Sequence, residues 1–274
     1  MKPHIIVTTD FSASSRNALD YACALAKKGD YEIQVLHIYT VPLTYTSDGI
    51  AFAAVGEAFT QAEMALKEEK RWAIENYHHI DIHTKAMTGG LIENLEDEIH
   101  RRAPELIIMG AASNYGDLWM WDSELLTALT SLPAPVLIVP KHVHYEGMKN
   151  IGFACDYRNI CVPKQISFIK WLTEYNGAQL HVVHITRSKP ENQEVKQKNE
   201  ALLHDALQET QPKYYAIEDP NIIDALAHFV HEQQIDLLIV VPHKHGVLDS
   251  LIHQSHTKQL AKLNNIPVLA LPEP

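Results

Sequence analysis

Short runs of β-branched and apolar residues alternate along the chain with longer stretches of helical period. "HIIVTTD" (His4 to Asp10) predicts a buried strand that ends on polar residues. The stretch after it puts Ala18, Leu19, Ala22, Leu25 and Ala26 on one helical face, with Ser12 or Ser14 to cap its start and Gly29 to stop it. "EIQVLHI" (Glu32 to Ile38) is the next strand, and a helix of small apolar residues follows from about Phe52 to Tyr77. "DIHTKAM" predicts a strand, "LIENLEDEIHRRA" a helix and "ELIIMG" a strand. A helix near Ser123 to Ser131 and the strand "PVLIVP" close the unit at Pro140.

The same order then begins again. "NIGFACD" (Asn150 to Asp156) repeats strand-then-aspartate, so Asp156 answers Asp10. After a helix at about Val162 to Tyr175, "AQLHVVHI" answers "EIQVLHI", and His184 answers His37. "IIDALAHFVHEQQIDLLIVV" answers "LIENLEDEIHRRAPELIIM". Ser255 stands twelve residues before Pro267, as Ser123 stands twelve before Pro135. This self-similarity predicts two homologous domains, 1–141 and 149–274, joined by the polar "KHVHYEGMK". The second is shorter, chiefly between its second and third strands. Strands alternating with helices predict right-handed βαβ units and a parallel sheet in each half. "LIIM" and "LLIVV" are apolar enough to be buried on both faces. Ligands of such sheets sit beyond the carboxyl ends of the strands, where Asp10, Gly110, Asp156 and Pro242 fall.

Composition narrows the function. A formal net charge of −11 argues against nonspecific nucleic-acid binding, which needs clustered Lys and Arg. The 17 histidines make that charge strongly dependent on pH below neutrality. Cys23, Cys155 and Cys161 show no metal-type spacing, and Cys23 falls in an apolar helical pattern as a buried thiol. The start "MKPHIIVTTD" lacks the apolar core of a signal peptide, and no apolar run approaches transmembrane length. A cytoplasmic protein with reduced thiols and no membrane association is the expectation.

"IIVTTDFSASSRNALDYACALA", "ELIIMG", "SLPAPVLIVP" and "PHKHGVLDSLIHQSHTKQLAKLNNIPVLALP" together resemble a tandem universal stress protein over essentially the whole chain. The resemblance implies an α/β fold of two tandem flavodoxin-like, adenine-nucleotide-alpha-hydrolase-like domains. Each is a five-stranded parallel sheet with helices on both faces. It also implies pairing through the last strands, which this duplicated chain can satisfy internally as a pseudo-dimer. Further oligomerisation and a protein partner are compatible with it. Some members of that family bind ATP through a loop G-x2-G-x9-G-[ST]; others do not.

Set against that loop, "GAASNYGDLWMWDS" keeps Gly110 as the first glycine and Ser123 as the final hydroxyl. Ser113 replaces the second glycine, Asp122 stands one residue early in place of the third, and Gly116 is out of place. A Cβ in a tight left-handed turn costs about 1 kcal/mol. A carboxylate about 4 Å from a phosphate repels by about 4 kcal/mol at an effective dielectric of about 20. ATP is therefore disfavoured as a cofactor, with Asp10, Gly110, Ser113 and Ser123 as the positions it would use. Asp122 also serves as a helix N-cap, and Asp10 as a cap for the first helix. Trp119 and Trp121 form a lid or interface, or pack beneath the longer first-half helix.

In the second half Pro242 replaces the first glycine and Gln254 precedes Ser255. Asp156 and Ser255 are its site positions. The histidines His243, His245, His253 and His256, with Lys244 and Lys258, admit three readings: a solvated face, an anion site at the helix opened by Ser255, or a zinc site. No cofactor or metal is assigned. His37 and His184 are satisfied core histidines rather than ligands. There is no Walker lysine, triad or paired carboxylate to support an enzyme. The expected function is a non-enzymatic stress-response protein with degenerate nucleotide loops that acts through binding. The alternatives are an ATP-binding, slowly hydrolysing stress protein, and a small-anion or zinc sensor.

Overall fold

The computed structural model describes residues 2–39, 50–111, 123–157, 162–186, 193–242, 263 and 265–272, for 50–55 and 123 the backbone alone. These fall into two compact units, with the main division between Tyr145 and Glu146.

The first unit runs β1 (His4–Thr8), α1 (Ala13–Ala26), β2 (Glu32–Tyr39), α2 (Ile50–Asn76), β3 (Asp81–Thr88), α3 (Leu91–Arg101), β4 (Leu106–Ala111), α4 (Ser123–Ser131) and β5 (Val136–Pro140). Its strands are parallel and lie in the order β3-β2-β1-β4-β5. From β1 the chain steps outward twice, to β2 and β3, and then crosses back to β4. The order is thus 3-2-1-4-5, where a flavodoxin sheet has 2-1-3-4-5, and the switch point opens between β1 and β4.

The second unit runs β6 (Asn150–Cys155), α5 (Pro163–Asn176), β7 (Gln179–Thr186), α6 (Gln193–Leu207), a 3₁₀ turn, β8 (Lys213–Glu218), α7 (Ile222–Glu232), β9 (Leu237–Val240) and β10 (Val268–Ala270). Its strands repeat the order of the first unit, β8-β7-β6-β9-β10, again parallel. The α/β fold expected for each half is what the structure has. α6 and β8 are the elements that the helical and strand periods left unread.

Burial follows the patterns that form the elements. β4 and β9 each bury four consecutive residues, and consecutive side chains point to opposite faces, so both faces of each sheet are covered. The alanine-rich face of α1 is inaccessible at Ala18, Leu19 and Ala22, and Cys23 lies beside them. α2 buries Ala62, Leu66, Glu69 and Ala73, one stripe at helical spacing. Glu69 accepts a bond from Arg16 Nε, whose guanidinium lies 4.8 Å from the Trp72 ring centre. Glu98 is buried too. It accepts Gln34 Nε2 at 2.9 Å, Lys85 Nζ at 2.7 Å and Arg101 at 2.6 Å.

Candidate functional site

The switch point is built from the chain that leaves β1. Thr9 N–H donates to Leu36 O (2.9 Å), one last ladder bond beyond the strand. Phe11 then takes a left-handed backbone (φ 65°), which turns the chain into α1. That conformation is held by the Phe11 N–H on Thr9 Oγ1 (3.0 Å) and by the Phe11 ring, 4.2 Å from the His37 imidazole. Ser12 is the N-cap: its hydroxyl accepts the Ser15 N–H at 3.2 Å. Asp10 therefore does not cap the helix directly. Its Oδ1 accepts the Ser12 N–H (3.0 Å) and fixes the turn that presents the cap. Burial pushes the Asp10 carboxyl up, but hydrogen bonds from the Ser12 hydroxyl, the Ser12 N–H and Ser15 outweigh it and hold the group below the ordinary aspartate range.

A cavity of about 280 Å³ lies at this point. Thr8, Thr9, Asp10 and Ser15 form one wall, and Met109 with Gly110 brings the end of β4 into it. Leu36, Ile38, Gly89 and Leu91 line the side of β2 and α3, and Glu124 with Leu125 closes it from the first turn of α4. Among the described lining residues the charged groups are Asp10 and Glu124, and no Lys or Arg joins them.

Gly110 has a packing reason of its own. A Cβ there would stand 2.3 Å from Ser14 O, 2.5 Å from Ser14 C and 2.8 Å from Ser15 N, all backbone. The missing side chain lets β4 pass against the first turn of α1.

The structure thus brings together Asp10 and Gly110 of the predicted residues. Ser123 opens α4 next to Glu124. Ser113, Gly116, Trp119, Trp121 and Asp122 lie outside the described residues, as do Ser255, Cys161 and the histidines His243, His245, His253 and His256. Asp156 follows β6 as Asp10 follows β1. Among the described residues, no group of three His, Cys, Asp or Glu is arranged to hold a metal ion. Thr9, Ser15 and Glu124 were missed by sequence reasoning; for Ser15 the run "FSASS" after Asp10 was the available signal.

The strand histidines have one role in each unit. His37 Nδ1 lies 2.7 Å from Thr9 O, and His184 Nδ1 lies 3.2 Å from Cys155 O. A carbonyl only accepts, so the proton sits on Nδ1 in both. Each ring also packs on the aromatic residue after the aspartate: Phe11 at 4.2 Å in the first unit, Tyr157 at 4.5 Å in the second. These are structural clasps on the turn that leaves the first strand. Cys23 is a buried thiol with its pKa pushed up to about 12, chiefly by desolvation.

Residues 1–140 match the universal stress protein family. A universal stress protein of Synechocystis is 21% identical, the match covering 97% of this chain and 98% of that one. Among solved structures, a universal stress protein from Archaeoglobus fulgidus superposes with a TM-score of 0.74 at 18% identity, covering 98% of both chains. A functionally unknown protein from Pseudomonas aeruginosa superposes with a TM-score of 0.56 at 12% identity, covering 99% of this chain and 92% of that one. Among the described residues, no helix is long and apolar enough to cross a membrane.

Proposed function

The chain belongs to the universal stress protein family, and we propose that it serves there as a non-enzymatic, cytoplasmic stress-response protein. It acts through contacts with other proteins, and its first-unit cavity is closed to nucleoside triphosphates. The observation that carries this reading is the charge of the cavity: Asp10 and Glu124 line it, and no described Lys or Arg offsets them. Glu124 follows Ser123, the hydroxyl position of the ATP loop, and a phosphate charge within about 4 Å of its carboxylate meets a repulsion of about 4 kcal/mol at an effective dielectric of about 20, a thousandfold in affinity. Gly110, the one loop glycine retained in register, is accounted for by its contact with Ser14.

Titration calorimetry of the purified protein with Mg-ATP tests the proposal. No saturable heat is expected at micromolar protein, and no adenine nucleotide should co-purify. A submicromolar dissociation constant, or ordered ATP at Gly110 and Ser123, overturns it. One observation favours the alternative, an ATP-binding stress protein: the same two carboxylates suit a divalent cation that could bridge to phosphates. That reading predicts binding with Mg²⁺ and none with EDTA.

A further inference from the structure

The sheet of the second unit ends on β8, and among the described residues no strand lies beyond it. The sequence of β8 is KYYAIE, charged at its ends and uncharged along its centre. It has no proline, glycine or central lysine to discourage a second strand from pairing. β3, the corresponding edge of the first unit, carries Lys85 mid-strand, with His83 two residues before it.

The backbone of β8 shows which groups wait for a partner. The Asp219 N–H donates to Thr186 O at 3.0 Å, so the odd-numbered residues turn their amides and carbonyls toward β7. Tyr214, Ala216 and Glu218 turn theirs outward, and all three are exposed.

We propose that this edge pairs with the β8 edge of a second copy of this chain, antiparallel, with Ala216 opposite Ala216. A two-fold axis normal to the sheet keeps each face as it is, so facing residues must share a face and the register must be centred on a residue. Centred on Ala216, the outward groups of Tyr214 meet those of Glu218 of the second copy, and Ala216 exchanges bonds with itself. No outward group of β8 is left over. On the other face Lys213 comes opposite Asp219, once at each end, and Tyr215 opposite Ile217. Asp219 is set for this at the end of the strand, its Oδ1 already accepting the Asn221 N–H at 2.7 Å.

The neighbouring registers fail at prolines. Centring on Tyr215 brings Glu218 against Pro212, and centring on Ile217 brings Tyr214 against Pro220. Both prolines occupy outward positions and have no N–H to give. Charge complementarity and the flanking prolines select the same partner and the same register.

Sedimentation equilibrium of the full chain from about 10 μM to about 1 mM tests this, since an interface of two short strands falls in the weak class. A concentration-dependent dimer is expected. Ala216→Pro removes an outward N–H and no bond to β7, and should weaken the dimer at least tenfold with an unchanged circular dichroism spectrum. Lys213→Glu and Asp219→Lys each turn two attractions into repulsions and should each weaken it roughly tenfold. Mixed in equal amounts, those two variants restore both ion pairs, and the heterodimer should regain wild-type strength. If Asp219→Lys does not fold, Lys213→Glu and Ala216→Pro carry the test. A chain monomeric to about 1 mM overturns the proposal. So does a dimer unaffected by Ala216→Pro, or a mixture of the two folded charge variants that shows no recovery.

Discussion

Gly110 stands where β4 meets α1, and its environment leaves no room for one more carbon. The atoms a Cβ would strike are the Ser14 carbonyl, at 2.3 and 2.5 Å, and no side-chain rotation moves them. Gly110→Ala should therefore shift strand or helix at a cost of about 1–3 kcal/mol or more. The expected reading is a lower urea midpoint with an unchanged m-value. A Ser14→Gly background should not rescue it, because the clash is with backbone. The sequence showed this glycine at the carboxyl end of a strand and so placed it at the site. It could not show why a glycine is required, because Ser14 lies almost a hundred positions earlier in the chain. Glu98 is a similar case. "LIENLEDEIHRR" reads as an ordinary amphipathic helix, yet this one carboxylate is buried against donors from β2, β3 and α3. Burial pushes its carboxyl up, and the Lys85, Gln34 and Arg101 donors hold it below the usual glutamate range.

At the scale of elements, each unit ties its first helix to the end of its last strand through a side-chain amide. Asn17 Nδ2 in α1 donates to Pro140 O at 3.0 Å and to Val143 O at 2.9 Å. Gln165 Nε2 in α5 donates to Pro272 O at 2.7 Å, and its Oε1 accepts the Val162 N–H at 3.0 Å. Asn17→Ala should cost about 1–3 kcal/mol, since two carbonyls lose donors at a mostly buried site. Gln165→Ala should cost a similar amount and also fray the start of α5. Hydrogen exchange of the amides in α1 and α5 distinguishes the two: each variant should lose protection in its own helix. Most elements were legible because a strong period marks them: α1, β4, β9 and α4 fall where apolar spacing put them. α6 and β8 were not. In α6 the buried positions are only Asn199, Leu203 and Leu207, too few to set a helical stripe. In β8 no residue is buried, because it is an edge. The candidate site was legible as strand-end positions. Its hydroxyl wall was not, because Thr9 and Ser15 meet only once Phe11 has turned the chain.

Across the whole molecule, the duplication preserves an interaction whose residues have changed places. In the first unit the imidazole belongs to β1 and the amide to β2: His4 Nε2 lies 3.2 Å from Gln34 Oε1. In the second unit the amide is on the first strand and the imidazole on the next: His181 Nε2 lies 3.2 Å from Asn150 Oδ1. Residue-by-residue comparison of the repeats hides this bridge, because neither position keeps its residue type. Both histidines are buried, and both have pKa values below the ordinary value. For His4 desolvation is the largest cause, the Gln34 bond opposes it, and Arg102 adds to it over Glu32 and Glu98. For His181 desolvation leads and Lys213 adds to it. The unfolded chain, with histidine near pH 6.5, then binds protons before the folded one does. The stability that comes from keeping these buried imidazoles neutral is complete above about pH 6.5 and is lost as pH falls toward the folded values, with a slope of at most about 1.4 kcal/mol per pH unit for each histidine. The carboxylates of Asp10 and Glu98, with folded pKa values also lowered, add their losses only below about pH 4.5, so the histidine window stands apart. The urea midpoint should fall between about pH 6.5 and 5. His4→Asn and His181→Asn should each flatten that fall, and the double variant should flatten it most. An unchanged slope in the folded double variant would assign the acid sensitivity to other members of the 17 histidines.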